Sequence, residues 1–258
     1  MASVTWFDRF AVLLDLFYIL KAAIPPTMSA TCRQPTLLVH PRRLQDVFFQ
    51  NVWAFMGDSV DAAGAETKQA LLPAAYGVVL EIGAGHGHSC KYLDTTRVTR
   101  YIALEPNTEM HERIAANAVK AGFEPAQIQM IACGAEETDK ILEALGGEQV
   151  DTLVSILSLC GIPDVKKSVA GLTDKVIKPG GVFLFYEHVR CEPSPTLAWW
   201  QAVWTPIWEP ILGCRLDKPT HHIIDALDIW EDRKLEGKVP EEPPNLFWHR
   251  VGRYRKKL

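Results

Sequence analysis

One apolar run that ends in a glycine-rich turn constrains the fold of this chain more than any other feature. Residues 78–87 have the sequence Val-Val-Leu-Glu-Ile-Gly-Ala-Gly-His-Gly. A short run of β-branched and aliphatic residues is typical of a strand buried on both faces, as in a parallel sheet covered by helices. Glycines at alternate positions permit a tight turn with positive φ and let a ligand lie against the main chain. The stretch therefore predicts a strand followed by a nucleotide-binding turn.

The glycine spacing and a neighbouring acid indicate which nucleotide binds. The dinucleotide pattern requires G-x-G-x-x-G, whereas Gly83, Gly85 and Gly87 form G-x-G-x-G, and position 88 is a histidine. Glu81, just before the glycines, would repel a pyrophosphate and attract an ammonium group. We therefore expect S-adenosylmethionine (SAM) rather than NAD or FAD. The glycines would lie against its methionine portion, and Glu81 at its ammonium side.

Strand and helix patterns alternate five times between residues 78 and 188. This alternation predicts an α/β fold with a Rossmann-like, doubly wound sheet, and two further strands follow it. We place a helical N-terminal cap or lid at residues 1–74 and the SAM-binding domain at residues 75–258. Within the cap, the sequence predicts a first helix that ends at Pro25-Pro26. It also predicts a second helix over residues 41–56 that Gly57-Asp58 stops.

Further candidate cofactor residues fall at or after the predicted carboxyl ends of strands, where ligands bind in such sheets. Glu105 ends the second strand, 24 residues after Glu81, and suits a carboxylate that binds both ribose hydroxyls. The alternative for Glu105 is a helix N-cap or an exposed acid. The remaining predicted contacts, to the adenine or to the amino-acid end of the cofactor, are Met110, Ala135, Glu136 and Ser155.

His188 is the candidate general base. It follows the fifth predicted strand, its ordinary pKa lies near 6.5, and Glu187 adjoins it. A base is needed only if the methyl acceptor enters protonated. The alternative is that His188 braces the loop that follows.

A tryptophan-rich segment after the fifth strand indicates an apolar substrate. Three of its tryptophans recur at helical spacing and would share one face, unless Pro206 breaks the helix. Core packing is the alternative. The residues predicted to line a large apolar site are Phe48, Trp53, Trp200, Trp204 and Trp208.

Charge and cysteine usage limit the partners. The formal net charge is −4 and the pI is about 6.1, which predicts no nucleic-acid partner. The six cysteines are widely scattered without a C-x-x-C pair, which predicts a reduced, cytoplasmic protein without a zinc or other metal site. The oligomeric state is not predicted.

The first helix has two candidate placements. Residues 10–24 are strongly apolar, but Asp15 and Lys21 interrupt them, so we expect neither a spanning helix nor a signal peptide. The helix could pack on its own domain or make peripheral contact with a membrane through residues 5–24. The residues predicted to share its apolar face are Phe7, Phe10, Leu14, Phe17 and Tyr18, turned away from Asp8 and Asp15.

The order of these features resembles that of class I SAM-dependent methyltransferases. The resemblance implies SAM as the cofactor and a seven-stranded sheet whose final strand is antiparallel. The matching motifs cover about residues 75–190 and are Glu81-x-Gly83-x-Gly85-x-Gly87, Glu105, Ala135-Glu136, Val150-Asp151 and Lys178-Pro179-Gly180-Gly181.

The second half is similar to a narrower group, the membrane-associated, methyltransferase-like alkyl thiol methyltransferases, and to their fungal relatives in secondary metabolism. This similarity implies methyl transfer to an apolar small molecule. The N-terminus departs from the pattern, because those enzymes begin with an uninterrupted apolar anchor. The residues that carry the similarity are Leu159-Cys160, Lys178-Pro179-Gly180-Gly181, Glu187-His188-Val189, Trp200-Gln201, Trp208 and Gly213-Cys214.

Three functions are compatible with the sequence. The first is methyl transfer to sulfur, oxygen, nitrogen or carbon of an apolar small molecule. The second is a Diels–Alder type cyclisation by a pericyclase of the same fold, with SAM as an electrostatic element only. The third is a membrane-surface binding module. The motifs do not separate the first two, because both need an intact cofactor site.

Overall fold

The computed structural model describes residues 6–240 and 243–258, with side chains of the first helix described at Phe10 and from Val12 onward. Among these residues, seven strands form one sheet in the order β3-β2-β1-β4-β5-β7-β6. The strands are β1 (Gly77–Ile82), β2 (Val98–Leu104), β3 (Ile128–Ile131), β4 (Val150–Ile156), β5 (Ile177–His188), β6 (Trp230–Glu236) and β7 (His249–Lys256).

The strand directions are those of the predicted fold. Strands β1 to β5 are parallel, whereas β7 runs antiparallel to both β5 and β6. The prediction of a Rossmann-like sheet of seven strands with helices at its N-terminus is therefore confirmed. The helices are α1 (Trp6–Arg33), α2 (Pro41–Ala63), α3 (Ala65–Leu71), α4 (His111–Lys120), α5 (Thr138–Ala144), α6 (Val165–Gly171), α7 (Pro195–Leu212) and α8 (Thr220–Asp225).

Strand β1 is buried on both faces, as its apolar run predicts. Leu80 and Ile82 belong to the core on one side of the sheet, and Val79 belongs to the core on the other side. A third core joins α1, α2 and α7. The predicted boundary between an N-terminal cap and the SAM-binding domain at residue 74 stays a prediction. This layering leaves the carboxyl edge of β1, β2, β4 and β5 as the place where loops meet.

The predicted end of the first helix is wrong, because α1 continues through Pro25 and Pro26 to Arg33. Tertiary contacts hold the segment beyond the prolines. Thr27 Oγ1 donates to Ala23 O at 2.7 Å and accepts from Asn51 Nδ2 of α2 at 3.0 Å. Packing on α2 therefore overrides the local tendency of proline to end a helix.

The predicted end of the second helix is also wrong, because α2 runs on to Ala63. Gly57 does not end it. A Cβ on Gly57 would lie 2.8 Å from the ring of His88, so the glycine permits close approach of α2 to the glycine turn. Helix α7 likewise continues through Pro206 and Pro210 to Leu212.

Only part of the α1 face that was predicted to be apolar packs on the core, because Phe10 contacts Trp200 and Trp204 of the third core whereas the rest of the described face points to solvent. Leu14, Phe17 and Tyr18 are 63%, 58% and 55% exposed, and Val12 and Leu16 are buried instead. Phe7 and Asp8 lie outside the described side chains. Of the described helices, one segment, Val12–Arg33, is long and apolar enough by length and composition alone to cross a membrane, with a mean hydropathy of 1.3.

Candidate active site

The glycine turn follows β1 at the carboxyl edge of the sheet, and neighbouring side chains pack directly against its main chain. Gly83, Gly85 and Gly87 have φ values of 63°, 56° and 72°. A Cβ on Gly83 would lie 2.7 Å from Cβ of Ser158, and a Cβ on Gly85 would lie 2.5 Å from Nε1 of Trp53. Backbone conformation and close neighbours therefore both exclude a side chain here.

Glu105 is fixed against this turn. Its side chain is buried, and one carboxylate oxygen accepts from Gly85 N at 2.9 Å while the other accepts from Asn107 N at 3.0 Å. Burial raises the pKa of Glu105, and the two N–H groups partly offset that effect. Neither an exposed acid nor an N-cap describes this residue, since the capping side chain here is Asn107. The ribose role of Glu105 stays a prediction.

Glu81 lies in strand β1, two residues before Gly83. It is 2% exposed, and its carboxylate accepts from the hydroxyl of Tyr101 and interacts with Ser89. Burial raises the pKa of Glu81, and these two hydroxyls offset it in part. The carboxylate is thus engaged by side chains of β2 and of the segment after the turn, and its contact with an ammonium group stays a prediction.

The residues predicted to contact adenine lie at the same edge, after β2 and β3. Met110 and Ala135 are buried, whereas Glu136 is exposed and its side chain folds over Gly134. The neighbouring Glu137 accepts from Gly134 N at 3.1 Å. The two apolar residues therefore lie in the core at this edge, and Glu136 lies at the surface.

Glu187 organises the loop that follows β4. Its carboxylate accepts from Ser155 Oγ at 2.6 Å, Ser158 N at 3.2 Å and Leu159 N at 3.2 Å. Burial raises the pKa of Glu187 to about 7, although these donors favour the ionised form. Ser155 also contacts Ser158 Oγ at 2.7 Å, so its hydroxyl is engaged within the chain. Its predicted contact with the amino-acid end of the cofactor is untested.

His188 ends β5 and is 4% exposed. Its Nδ1 lies 3.7 Å from Cys214 Sγ, and its Nε2 has no hydrogen-bond partner within the described residues. Burial lowers the pKa of His188, but the interactions with Cys160, Glu187 and the Leu216 backbone together more than offset this, so the pKa lies above its ordinary value. Neither cysteine was predicted to be a neighbour of His188, because they lie 28 residues before it and 26 residues after it in the chain.

The aromatic residues predicted to line one substrate site are divided between two places: Trp53 packs beside the glycine turn, and the other four belong to the third core or pack against it. Trp53 lies over Gly85, and its Nε1 is buried without a hydrogen-bond partner in the described part of the chain. Phe48 lines a groove of about 590 Å³ between α1 and α2. The α7 tryptophans pack in the third core: Trp200 and Trp204 stack at 6.0 Å, and Trp208 packs against Phe247 at 5.3 Å.

Comparison with known proteins agrees with this architecture. A family model described as a methyltransferase domain matches residues 80–185. Among solved structures, N-methyltransferase NodS from Bradyrhizobium japonicum WM9 in complex with S-adenosyl-L-homocysteine superposes with a TM-score of 0.54 at 13% identity. It covers 76% of this chain and 87% of that chain. The [4+2]-cyclase SpnF superposes with a TM-score of 0.53 at 12% identity, and the superposition covers 75% of this chain and 79% of SpnF. Identities this low show the fold alone.

These findings define the class: the chain has the class I methyltransferase fold, and residues 80–185 within it match the methyltransferase-domain model. Within that class, it is 29% identical over 177 residues to human thiol S-methyltransferase TMT1B. The match covers 67% of this chain and 66% of that protein, which is just under two thirds of its length.

Proposed function

We propose that this protein transfers a methyl group from SAM to an apolar small molecule, with a thiol as the acceptor. The glycine turn, in which Glu105 accepts a hydrogen bond from Gly85 N, carries the proposal, because it places a buried carboxylate and a turn of positive φ at the carboxyl edge of the sheet, where nucleotide ligands bind in such folds. The similarity to a protein named thiol S-methyltransferase supports sulfur as the acceptor atom.

The residues at the carboxyl edge fit this cofactor. Gly83 and Gly85 lack a Cβ, which lets the side chains of Ser158 and Trp53 approach the main chain of the turn, where they would flank a bound cofactor. The Glu105 carboxylate lies at the turn with two N–H donors already bound, which leaves lone pairs for hydroxyl donors. Met110 and Ala135, which follow β2 and β3, are apolar and buried in the core next to this edge.

The bound cofactor would supply an electrophilic methyl group on a sulfonium. The chain must hold the acceptor in line with that methyl and keep water out, and alignment of this kind lowers a barrier by about 7–11 kcal/mol at best. Trp53 lies over the turn and offers an aromatic surface beside the predicted position of the sulfonium. Glu187 accepts hydrogen bonds from the loop after β4, so the part of the site that would face the methyl acceptor is held in place before the substrate binds.

A membrane surface is a further proposed partner. The exposed apolar residues of α1 form one side of the helix that does not pack on the domain. An apolar substrate dissolves in membranes, so an enzyme that meets one there would acquire it at high local concentration.

Incubation with methyl-labelled SAM and a panel of thiols, phenols and polyketide–amino acid hybrids tests the function. We expect label in the thiols, with one S-adenosylhomocysteine released per methyl transferred. Label only in phenols or hybrids would exclude the thiol acceptor. Cyclised substrate without S-adenosylhomocysteine would instead identify a pericyclase, and vesicle binding without turnover would identify a binding module.

A further inference from the structure

Three side chains that bind soft metals converge from three separate elements. Cys160 lies in the loop after β4, His188 ends β5, and Cys214 lies in the loop after α7. One ligand atom from each lies within 4.8 Å of the others. Cys160 and His188 are buried and Cys214 is partly exposed, so the cluster has a dry interior and one side toward solvent.

We propose that Cys160, His188 and Cys214 bind zinc, with a fourth coordination position that takes the thiolate of the substrate. The binding of the metal stands on the cluster alone. The role toward a thiolate rests on the proposed function. Three protein ligands with an open fourth position are the pattern of catalytic rather than structural zinc sites.

The measured separations are close to those of a tetrahedral site. With Zn–S of about 2.3 Å and Zn–N of about 2.0–2.1 Å, tetrahedral angles place nitrogen and sulfur about 3.6 Å apart, and two sulfurs about 3.8 Å apart. The His188 Nδ1 to Cys214 Sγ distance is 3.7 Å, and no pair exceeds 4.8 Å. Side-chain adjustments of about 1 Å or less would therefore complete the site.

The backbone around the cluster is held in place. Glu187 accepts from two backbone N–H groups of the loop that carries Cys160. Arg215 N donates to Cys160 O at 3.2 Å, which ties the two cysteine loops together. Gly161 lies so close to Gly213 that a Cβ on it would be 2.8 Å from Gly213 O. The ligands are thus preorganised, as a metal site requires.

The location connects the cluster to the methyl donor. Ser158 packs against Gly83 of the glycine turn, and Cys160 is two residues further along the same loop. Strands β4 and β5, which precede Cys160 and His188, are adjacent in the sheet. A thiolate held at the fourth position would therefore lie on the acceptor side of the turn.

The chemistry balances without another reactant. Metal binding converts the Cys160 and Cys214 thiols to thiolates and releases two protons to solvent, while His188 binds through a neutral ring nitrogen. The substrate thiol loses its proton to solvent on coordination. Its sulfur then forms a bond to the methyl carbon as the bond between that carbon and the sulfonium breaks, which yields a thioether and S-adenosylhomocysteine.

Metal titration of the full-length protein tests the site without SAM or substrate. Protein reduced and freed of metal under anaerobic conditions is titrated with zinc against a chelator, and with Co²⁺ for its thiolate charge-transfer absorption. We expect one metal per chain. Cys160→Ser, Cys214→Ser and His188→Gln should each weaken zinc by more than the roughly 10- to 100-fold typical of removing an outer-shell partner. Each serine variant should also lose about half of the charge-transfer band.

Two controls separate this cluster from others. Cys191→Ser removes another buried thiol, and the double change His221→Asn/His222→Asn removes a more exposed Glu192–His221–His222 group. Both should bind zinc like the wild type. Circular dichroism melting of each variant identifies any that fails to fold. Any of three results would overturn the proposal. They are less than one metal per chain in the wild type, a Cys160–Cys214 disulfide that persists after reduction, and loss of zinc binding in either control.

The thiolate role has its own readout. Zinc-loaded protein should methylate a thiol faster than metal-free protein, and thiol should shift the absorption of the Co²⁺ form. Equal rates with and without metal would overturn the thiolate role. One zinc per chain with no methyl transfer to any acceptor would leave the metal site standing and refute the proposed function instead.

Discussion

At the scale of single residues, Gly85 is the position where structure and predicted chemistry meet most closely. Its φ of 56° disfavours any L side chain, and its main chain donates to Glu105 under the indole of Trp53. A single added methyl group there therefore tests conformation and space together.

We expect Gly85→Ala to weaken SAM binding at least about tenfold, which corresponds to 1.4 kcal/mol. Calorimetry of the purified variant with SAM measures this. Gly146→Ala is the matched control, because Gly146 also has positive φ, 66°, but no atom lies within 4 Å of its added Cβ. That variant should carry a backbone penalty of only about 1–2 kcal/mol in stability and bind SAM normally. Equal SAM affinities for Gly85→Ala and the wild type would refute the assigned turn.

At the scale of elements, one buried amide fastens α7 to the end of β5. Gln201 Oε1 accepts from Cys191 N at 2.8 Å, and its Nε2 donates to Val189 O at 3.1 Å and to Leu246 O at 2.9 Å. The loop after α7 carries Cys214, so the hydrogen bonds of Gln201 that hold α7 also help to position Cys214 at the candidate site.

Gln201→Ala should lower the free energy of unfolding by at least about 3 kcal/mol, since each of three buried groups left unpaired costs about 1–3 kcal/mol. Urea denaturation measures the change. Gln129→Ala is the comparison, because Gln129 makes one exposed bond, to Ala144 O at 2.8 Å. That variant should lose less than about 1.5 kcal/mol. Similar losses in both variants would show that the amide does not fasten α7.

The strands and the glycine turn could be predicted from sequence because their signals are local. A buried parallel strand and a G-x-G-x-G turn are each encoded within about ten residues, and Glu105 follows at the end of the next strand. The ends of α1 and α2 could not be predicted. Proline and glycine ordinarily end helices, whereas here Asn51 holds the segment after Pro25-Pro26 and Gly57 admits the ring of His88.

Two parts of the candidate site were beyond sequence reasoning. The tryptophans of α7 repeat at helical spacing, but spacing alone does not tell a core stripe from a pocket wall, and they pack in the core beside α1. Cys160, His188 and Cys214 are brought together only by the order of the strands and the return of α7. No short-range pattern encodes that meeting.

At the scale of the whole molecule, buried neutral histidines link stability to pH. Burial, with the charges of Arg113 and His88, lowers the pKa of His86 to about 4. Burial and the charge of His222 lower the pKa of His221 to about 4. A histidine whose folded pKa is depressed stabilises the fold fully above its unfolded pKa of about 6.5. That contribution is lost as the pH falls from 6.5 toward 4.

We therefore expect His86 and His221 each to lower the free energy of unfolding by at most about 2 kcal/mol between pH 7 and pH 5. Glu187, whose pKa burial raises to about 7, contributes with the opposite sign over this range, so the comparison with a variant isolates the two histidines. Chemical denaturation across this range measures the slope. The double variant His86→Asn/His221→Asn should have a shallower slope than the wild type, whatever its absolute stability. Parallel slopes would contradict the assignment.

The exposed side of α1 predicts reversible binding to lipid. Leu14→Glu/Phe17→Glu should reduce flotation with phosphatidylcholine vesicles at least about tenfold, because burial of each such apolar side chain contributes about 1.5–3 kcal/mol. Val119→Glu is the control, since Val119 is exposed on α4 instead. Flotation that Leu14→Glu/Phe17→Glu leaves unchanged would refute membrane contact through this helix.

The position of Trp53 over Gly85 gives the molecule an intrinsic optical probe. An indole whose ring nitrogen touches the turn has an emission that responds to whatever arrives there. The protein contains eight tryptophans, so the useful signal is the difference between the wild type and Trp53→Phe. In that difference spectrum, occupancy of the turn could be followed in real time by stopped-flow fluorescence, without labelling either reactant.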